Sequence, residues 1–125
     1  MISFEHASSV CDAYLKSLVD SDVEGVMALY ADDATVEDPV GTPMKSGVAT
    51  LREFYTVACQ SVTQAEMRGA PRLAGNEVAF PFQITIGTGQ QAMVMEIIDV
   101  FRFNDEGKVV AMRAFWGKEN MRPAN

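Results

Sequence analysis

Apolar residues recur every three to four positions through the first half of the chain and every two through the second. Val10, Tyr14 and Leu18 fall four apart, with Ala7 and Cys11 beside them. That spacing is one face of a helix over about residues 4–21. Asp22 is a fair N-cap for a short second helix over residues 23–30, with Glu24 in the first turn, where an acid suits the helix dipole. Thr35-Val36-Glu37-Asp38 reads as a short strand, stopped by Pro39 and Gly41. Leu51, Phe54, Tyr55 and Ala58 mark a third helix over about residues 48–61.

The period then changes to two. Val78, Phe80, Phe82, Ile84 and Ile86 alternate along one strand face, and Pro81 points the other way, which suggests an edge or bulge there. A long run follows over residues 91–103, roughly 40 Å if extended. The turn Asn104-Asp105-Glu106-Gly107 leads to a last strand over residues 108–116, with Val110, Met112, Ala114 and Trp116 on one face. Helices followed by consecutive strands predict an α+β fold, an antiparallel sheet with about three helices on one side. A strand of that length curves, and a curved sheet closed by helices makes a cone around an apolar pocket.

Composition narrows the function classes. The 125 residues suit one domain, 1–125. Ten basic against 17 acidic residues give a net charge of −7, which repels phosphate backbones and argues against a nucleic-acid partner. Cys11 and Cys59 are too few for a disulfide framework and read as small core residues. The one histidine, His6, argues against a His-based metal site, a Ser-His-Asp triad or a Cys-His dyad. Gly87 and Gly89 flank Thr88 in a turn rather than a phosphate-cradling loop. No apolar run approaches the ~18 residues of a membrane span. The N-terminal residues carry neither a basic start nor an apolar stretch, so the expected location is the cytoplasm.

Against this background one residue stands out. The inward face of the long strand reads Met93, Met95, Ile97, Asp99, Phe101 and Phe103, so a lone carboxylate sits among apolar neighbours, a costly placement. Pairing with Arg113, capping a backbone group or a bulge that turns it outward would each relieve the cost. So would protonation: a shift from about 3.9 to above 7 costs about 4 kcal/mol, which burial without a counter-charge supplies. A neutral Asp99 is a hydrogen-bond donor. Tyr14, Tyr30 and Tyr55 all fall on or at the end of predicted helices, where they serve either as core aromatics or as a hydroxyl chain that polarises its last member. Asp38 ends an acidic stretch before a proline, either as a solvated turn or as a base. Alternation opposes it to Glu37, so at most one of the two faces a pocket, and no basic residue lies within six positions.

Tyr14, the segment from Tyr30 through Asp38-Pro39-Val40-Gly41, the pair Phe54-Tyr55 and Ile98-Asp99-Val100-Phe101-Arg102-Phe103 closely resemble bacterial Δ5-3-ketosteroid isomerases. The likeness extends to Gly107-Lys108-Val109-Val110 and Met112-Arg113-Ala114, and is weakest from about Cys59 to Gly75. The resemblance implies a nuclear-transport-factor-2-like cone, a homodimer, and isomerisation of Δ5-3-ketosteroids to conjugated Δ4-3-ketosteroids without a metal or cofactor. It implies Asp38 as the base moving a proton from C4 to C6, with Tyr14 and protonated Asp99 donating to the C3 oxygen. Tyr55 and Tyr30 would support Tyr14 through hydrogen bonds. Phe54, Phe82, Phe101, Met112 and Trp116 match positions lining the steroid pocket. That family is itself the standard case of a carboxylic acid kept neutral in order to donate, so these roles are carried over from it.

Other functions share such a cone. A polyketide-cyclase-like enzyme would also use an acid/base aspartate, and dehydratase relatives rely on a histidine that His6 is badly placed to supply. A non-catalytic carrier of sterols would need the apolar wall but neither aspartate. The isomerase reading requires Asp99 near Tyr14 without a basic partner, and Asp38 facing the same pocket near its mouth.

Overall fold

The computed structural model describes residues 2–125. Helix α1 spans Phe4–Val19. It starts where the Ser3 side chain accepts from the His6 N–H at 3.1 Å, and it buries the stripe Ala7, Val10, Cys11, Tyr14 and Leu18. Helix α2 covers only Val23–Met27, capped by Asp22, which accepts from the Gly25 N–H at 2.9 Å. The sequence pattern carried this helix to Tyr30. It stops earlier because the Leu29 carbonyl accepts from the Val109 N–H at 2.9 Å, drawing the chain into a sheet. Tyr30 therefore opens strand β1, Tyr30–Glu37, instead of ending a helix. Strand β2 is the short Lys45–Ser46, and α3 spans Val48–Ser61, burying Leu51, Tyr55 and Cys59 at every fourth position.

Strands β3 (Val62–Met67), β4 (Arg72–Ala74), β5 (Glu77–Ile86), β6 (Met93–Phe103), β7 (Val109–Phe115) and β8 (Met121–Pro123) complete the sheet. The order is β2-β1-β7-β6-β5-β3, with β4 also on β5 and β8 also on β6. The sheet is curved and mixed, because β1 runs parallel to β7 and every other pairing is antiparallel. A wholly antiparallel sheet was expected; the sequence pattern reveals strands, and the parallel pairing arises because α2 hands the chain to β1 beside the start of β7. Pro81 fits within β5 because β3 ends its pairing at Phe82 and β4 begins at Ala79, leaving a local edge between them.

Alternation is regular on β5 and on most of β6. Val78, Phe80, Phe82 and Ile84 face inward beside Met95, Ile97, Asp99, Phe101 and Phe103. On β7 the phase differs from expectation: Val109, Met112 and Ala114 are buried and Val110 is not, because the β6–β7 register shifts between Arg102 and Phe103. The inward strand face and the buried stripes of α1 and α3 form one core. Fully buried Phe80, Phe101 and Phe103 each contribute about 2–3 kcal/mol of hydrophobic stabilisation to it.

Candidate functional site

Three elements bring the three tyrosines together: Tyr14 from α1, Tyr30 from β1 and Tyr55 from α3. All are buried. The Tyr30 and Tyr55 hydroxyl oxygens lie 2.5 Å apart, and those of Tyr55 and Tyr14 lie 3.1 Å apart. Three hydroxyls carry three protons and the two links use two of them. Burial raises all three above the usual phenol range. Either oxygen of each pair can be the donor. In the arrangement where Tyr30 donates to Tyr55 and Tyr55 to Tyr14, the Tyr14 proton is left over for a ligand.

Asp99 is 2% exposed, and its Oδ1 has no hydrogen-bond partner. Its cross-strand neighbours are Phe80 on β5 and Ala114 on β7, so no cation flanks it. Arg113 points to the other face and binds Glu37 at 3.4 Å. Burial, then the negative charge of Asp38, push the Asp99 carboxyl well above the usual carboxylate range. Phe80, the cross-strand partner of Asp99, packs edge-on against Tyr14 at 6.3 Å, and after burial Asp99 contributes most to the rise at Tyr14.

Asp38 lies just past β1, where alternation turns Glu37 outward to Arg113 and the Gly41 N–H. Its carboxylate is half-buried and accepts from the Trp116 indole N–H at 2.8 Å. Burial raises its pKa; the Trp116 hydrogen bond and the charge of Lys45 oppose the rise. The local sequence around Asp38 offers no counter-ion within six residues, but the fold supplies one: Lys45, on β2, shares a cavity with Asp38 and lies over the Phe54 ring at 4.9 Å. Sequence reasoning missed this lysine, and it missed Trp116 as a donor to Asp38. An indole N–H in an apolar pocket needs an acceptor, and that was the available signal.

The cavity holds about 650 Å³ and runs between α3 and the sheet. Asp38, Phe54 and Trp116 line it. Of the other expected lining residues, Phe82, Phe101 and Met112 are buried in the core behind it. Phe101 packs edge-on against Tyr14 at 5.2 Å, and Phe82 stacks on Phe80 at 5.3 Å. They shape the floor under the tyrosine–aspartate group and do not line the open space. His6 is remote from all of this, with its Nε2 2.8 Å from the Gly107 carbonyl oxygen. Both cysteines are free and buried; burial pushes the Cys11 thiol up to about 12. Among the described residues, no three His, Cys, Asp or Glu side chains cluster as metal ligands. The site thus has the half-buried Asp38 at the cavity wall, with Tyr14 and Asp99 buried and not lining the open space, in apolar surroundings. That arrangement can take up a proton from carbon and stabilise the oxyanion that results.

The chain is similar to several known proteins. A steroid Delta-isomerase from Nocardioides simplex is 38% identical over 108 residues, covering 86% of this chain and 87% of that protein. The epoxide hydrolase LasB from Streptomyces lasalocidi is 29% identical over 110 residues, but this chain spans only 39% of its length. The solved structure of SalBIII, an epoxide hydrolase/cyclase-like enzyme of polyether salinomycin pyran-ring formation, superposes with a TM-score of 0.86 at 25% identity, covering 95% of each chain. The SnoaL-like domain model matches residues 11–112, and with that match the chain belongs to the SnoaL-like domain family.

Proposed function

We propose that this protein is a steroid Δ5-isomerase that converts Δ5-3-ketosteroids to their conjugated Δ4 isomers. The observation that carries the reading is Asp99: a buried carboxyl whose Oδ1 has no partner among the described residues and whose cross-strand neighbour Phe80 packs against Tyr14. Asp38 removes a proton from C4; the C4–H electron pair becomes the C3=C4 bond and the carbonyl π pair moves onto the C3 oxygen, giving the dienolate with C5=C6 in place. Tyr14 and neutral Asp99 donate hydrogen bonds to that oxygen. Protonated Asp38 then returns the proton to C6 and the double bond comes to rest at C4–C5. The base ends as it began, and no other group changes state. Tyr55 and Tyr30 hold Tyr14 in the donating role, and Trp116 orients Asp38 for both transfers. Removing one oxyanion donor of this kind typically costs about 3–4 kcal/mol, and a positioned base is worth ~10²–10⁴-fold.

The chain reads as one ketosteroid-isomerase-like domain, residues 1–125, working as a homodimer in the cytoplasm on an apolar substrate. Support for self-association comes from Ile98 and Phe115, paired in register on the outer sheet face and 47% and 41% exposed. No described helix is long and apolar enough to cross a membrane.

The test is the ultraviolet absorbance of the conjugated enone formed from 5-androstene-3,17-dione, with wild type beside Asp38→Asn. Turnover by the wild type, reduced by orders of magnitude in the variant, supports both the activity and the base. A folded wild type that binds the steroid without turning it over would make the pocket that of a carrier or of a cyclase-like enzyme acting on another ligand.

A further inference from the structure

The inner faces of β5 and β6 form a ladder of paired side chains: Phe80 with Asp99, Phe82 with Ile97, Ile84 with Met95, and Ile86 with Met93. Six residues separate Asp99 from Met93, about 20 Å along a strand. The reaction proposed above fixes the steroid's 3-oxygen at the Asp99 rung. With carbon–carbon bonds of about 1.5 Å, the fused nucleus reaches about 10 Å from that oxygen to C17. C17 therefore arrives short of the Ile84–Met95 rung, which is about 13 Å out. The Ile86–Met93 rung lies wholly beyond a four-ring steroid.

The cavity lies over those outer rungs, lined by Ile84, Ile86 and Met95 and not by Phe80, Phe82, Ile97 or Asp99. The side chains with charge, Asp38, Lys45 and Glu53, meet it with the N-terminal half of α3. Its far end is walled by Val57, Val62, Ile84, Ile86, Met95 and Met121. The one polar group there, the Ser61 hydroxyl, is already donating to the Val57 carbonyl at 2.8 Å. From Thr50 to Ser61 the α3 wall runs about 16 Å, at 1.5 Å per residue. Val57 is 61% exposed and Ile86 and Met121 are half-buried, so aliphatic surface is left uncovered where the nucleus ends.

From this we infer that the preferred substrates are steroids with a long aliphatic chain at C17, and that the chain lies along α3 against Val57, Ile86 and Met121. The inference rests on the isomerase reading and assigns the substrate class within it. A 17-keto group would end in this aliphatic stretch without a donor; a branched alkyl chain would cover it. Each methylene buried there tightens binding about fourfold, so four covered carbons give about 10²-fold.

The experiment compares 5-androstene-3,17-dione with 5-cholesten-3-one, both presented in cyclodextrin and with rates referred to free steroid. The expected result is turnover of both, with KM at least ten-fold lower for the long-chain steroid. Val57→Asp, a change at an exposed helix position checked by circular dichroism, is expected to lower the ratio of kcat/KM for long-chain over 17-keto substrate by about ten-fold. Turnover of neither steroid would overturn the isomerase reading itself. Turnover of 5-androstene-3,17-dione with equal or weaker handling of 5-cholesten-3-one would overturn the long-chain assignment alone. An unchanged ratio in Val57→Asp would overturn the path along α3.

Discussion

Asp99→Asn provides a thermodynamic test of the neutral acid that does not depend on catalysis. A carboxyl whose folded pKa is raised binds its proton in the native state while the unfolded chain has released it. Its stabilising contribution is fully present below the unfolded pKa, near 3.9, and is lost as pH rises toward the folded value. For Asp99 the direction is upward, because the group is buried, lacks a cation and feels Asp38. Within that window the unfolding free energy falls by about 1.36 kcal/mol per pH unit from this one group. For an acid still neutral at pH 7 the accumulated loss is about 4 kcal/mol. Asparagine keeps the shape and one donor but has no proton to lose, so the variant escapes this loss. Its second amide proton is left unsatisfied among Phe80 and Ala114, a cost of about 1–3 kcal/mol that does not vary with pH. Asp99→Asn is therefore expected to be about 1–3 kcal/mol more stable than wild type at pH 7 and less stable at pH 4. The assay is urea unfolding of both proteins at one concentration in steps from pH 4 to pH 8. A difference between the two that stays flat with pH would refute the reasoning, since it would mean that Asp99 ionises in the folded protein much as it does in the unfolded chain.

Other predictions concern the groups around the donor pair. Lys45→Met removes the cation that opposes the burial of Asp38, so the acid limb of kcat/KM is expected to move to higher pH, with little change on the plateau; an unmoved limb would remove Lys45 from the electrostatics of the base. Tyr55→Phe breaks both hydroxyl links and leaves the Tyr30 hydroxyl buried without a partner. A kcat lower by about three- to ten-fold and a stability loss of about 1–3 kcal/mol are expected. Tyr30→Phe acts only through Tyr55 and is expected to change kcat by no more than about two-fold; equal kcat losses in the two variants would contradict the order of the chain, in which Tyr30 reaches Tyr14 through Tyr55.

How much of this was legible in the sequence depends on the distance over which each cause acts. Asp99 was legible because its partners on the same face lie two and four residues away, and strand alternation is a short-range rule that holds throughout most of β6. The span Val48–Ser61 of α3 was likewise local, set by the four-residue recurrence of Leu51, Tyr55 and Cys59. Tyr30 was assigned to the wrong element because its conformation is decided by Val109, far along the chain, whose N–H takes the carbonyl before it. The short strands β2, β3, β4 and β8 carry too few alternations to announce themselves, and each exists by pairing with a longer neighbour. Lys45 is the same case at the site. It lies seven residues past Asp38, across Pro39, Gly41 and Pro43, which interrupt any helix or strand that would relate the two. It becomes a neighbour because the chain after Pro39 turns back and pairs Lys45 with Val36 on β1. A carboxylate that looks unaccompanied in sequence thereby gains a cation that restrains its pKa without binding it directly. Lys45 opposes the upward pull of burial on Asp38 while the Trp116 N–H occupies Oδ1, a balance that strand register sets and that linear spacing does not encode.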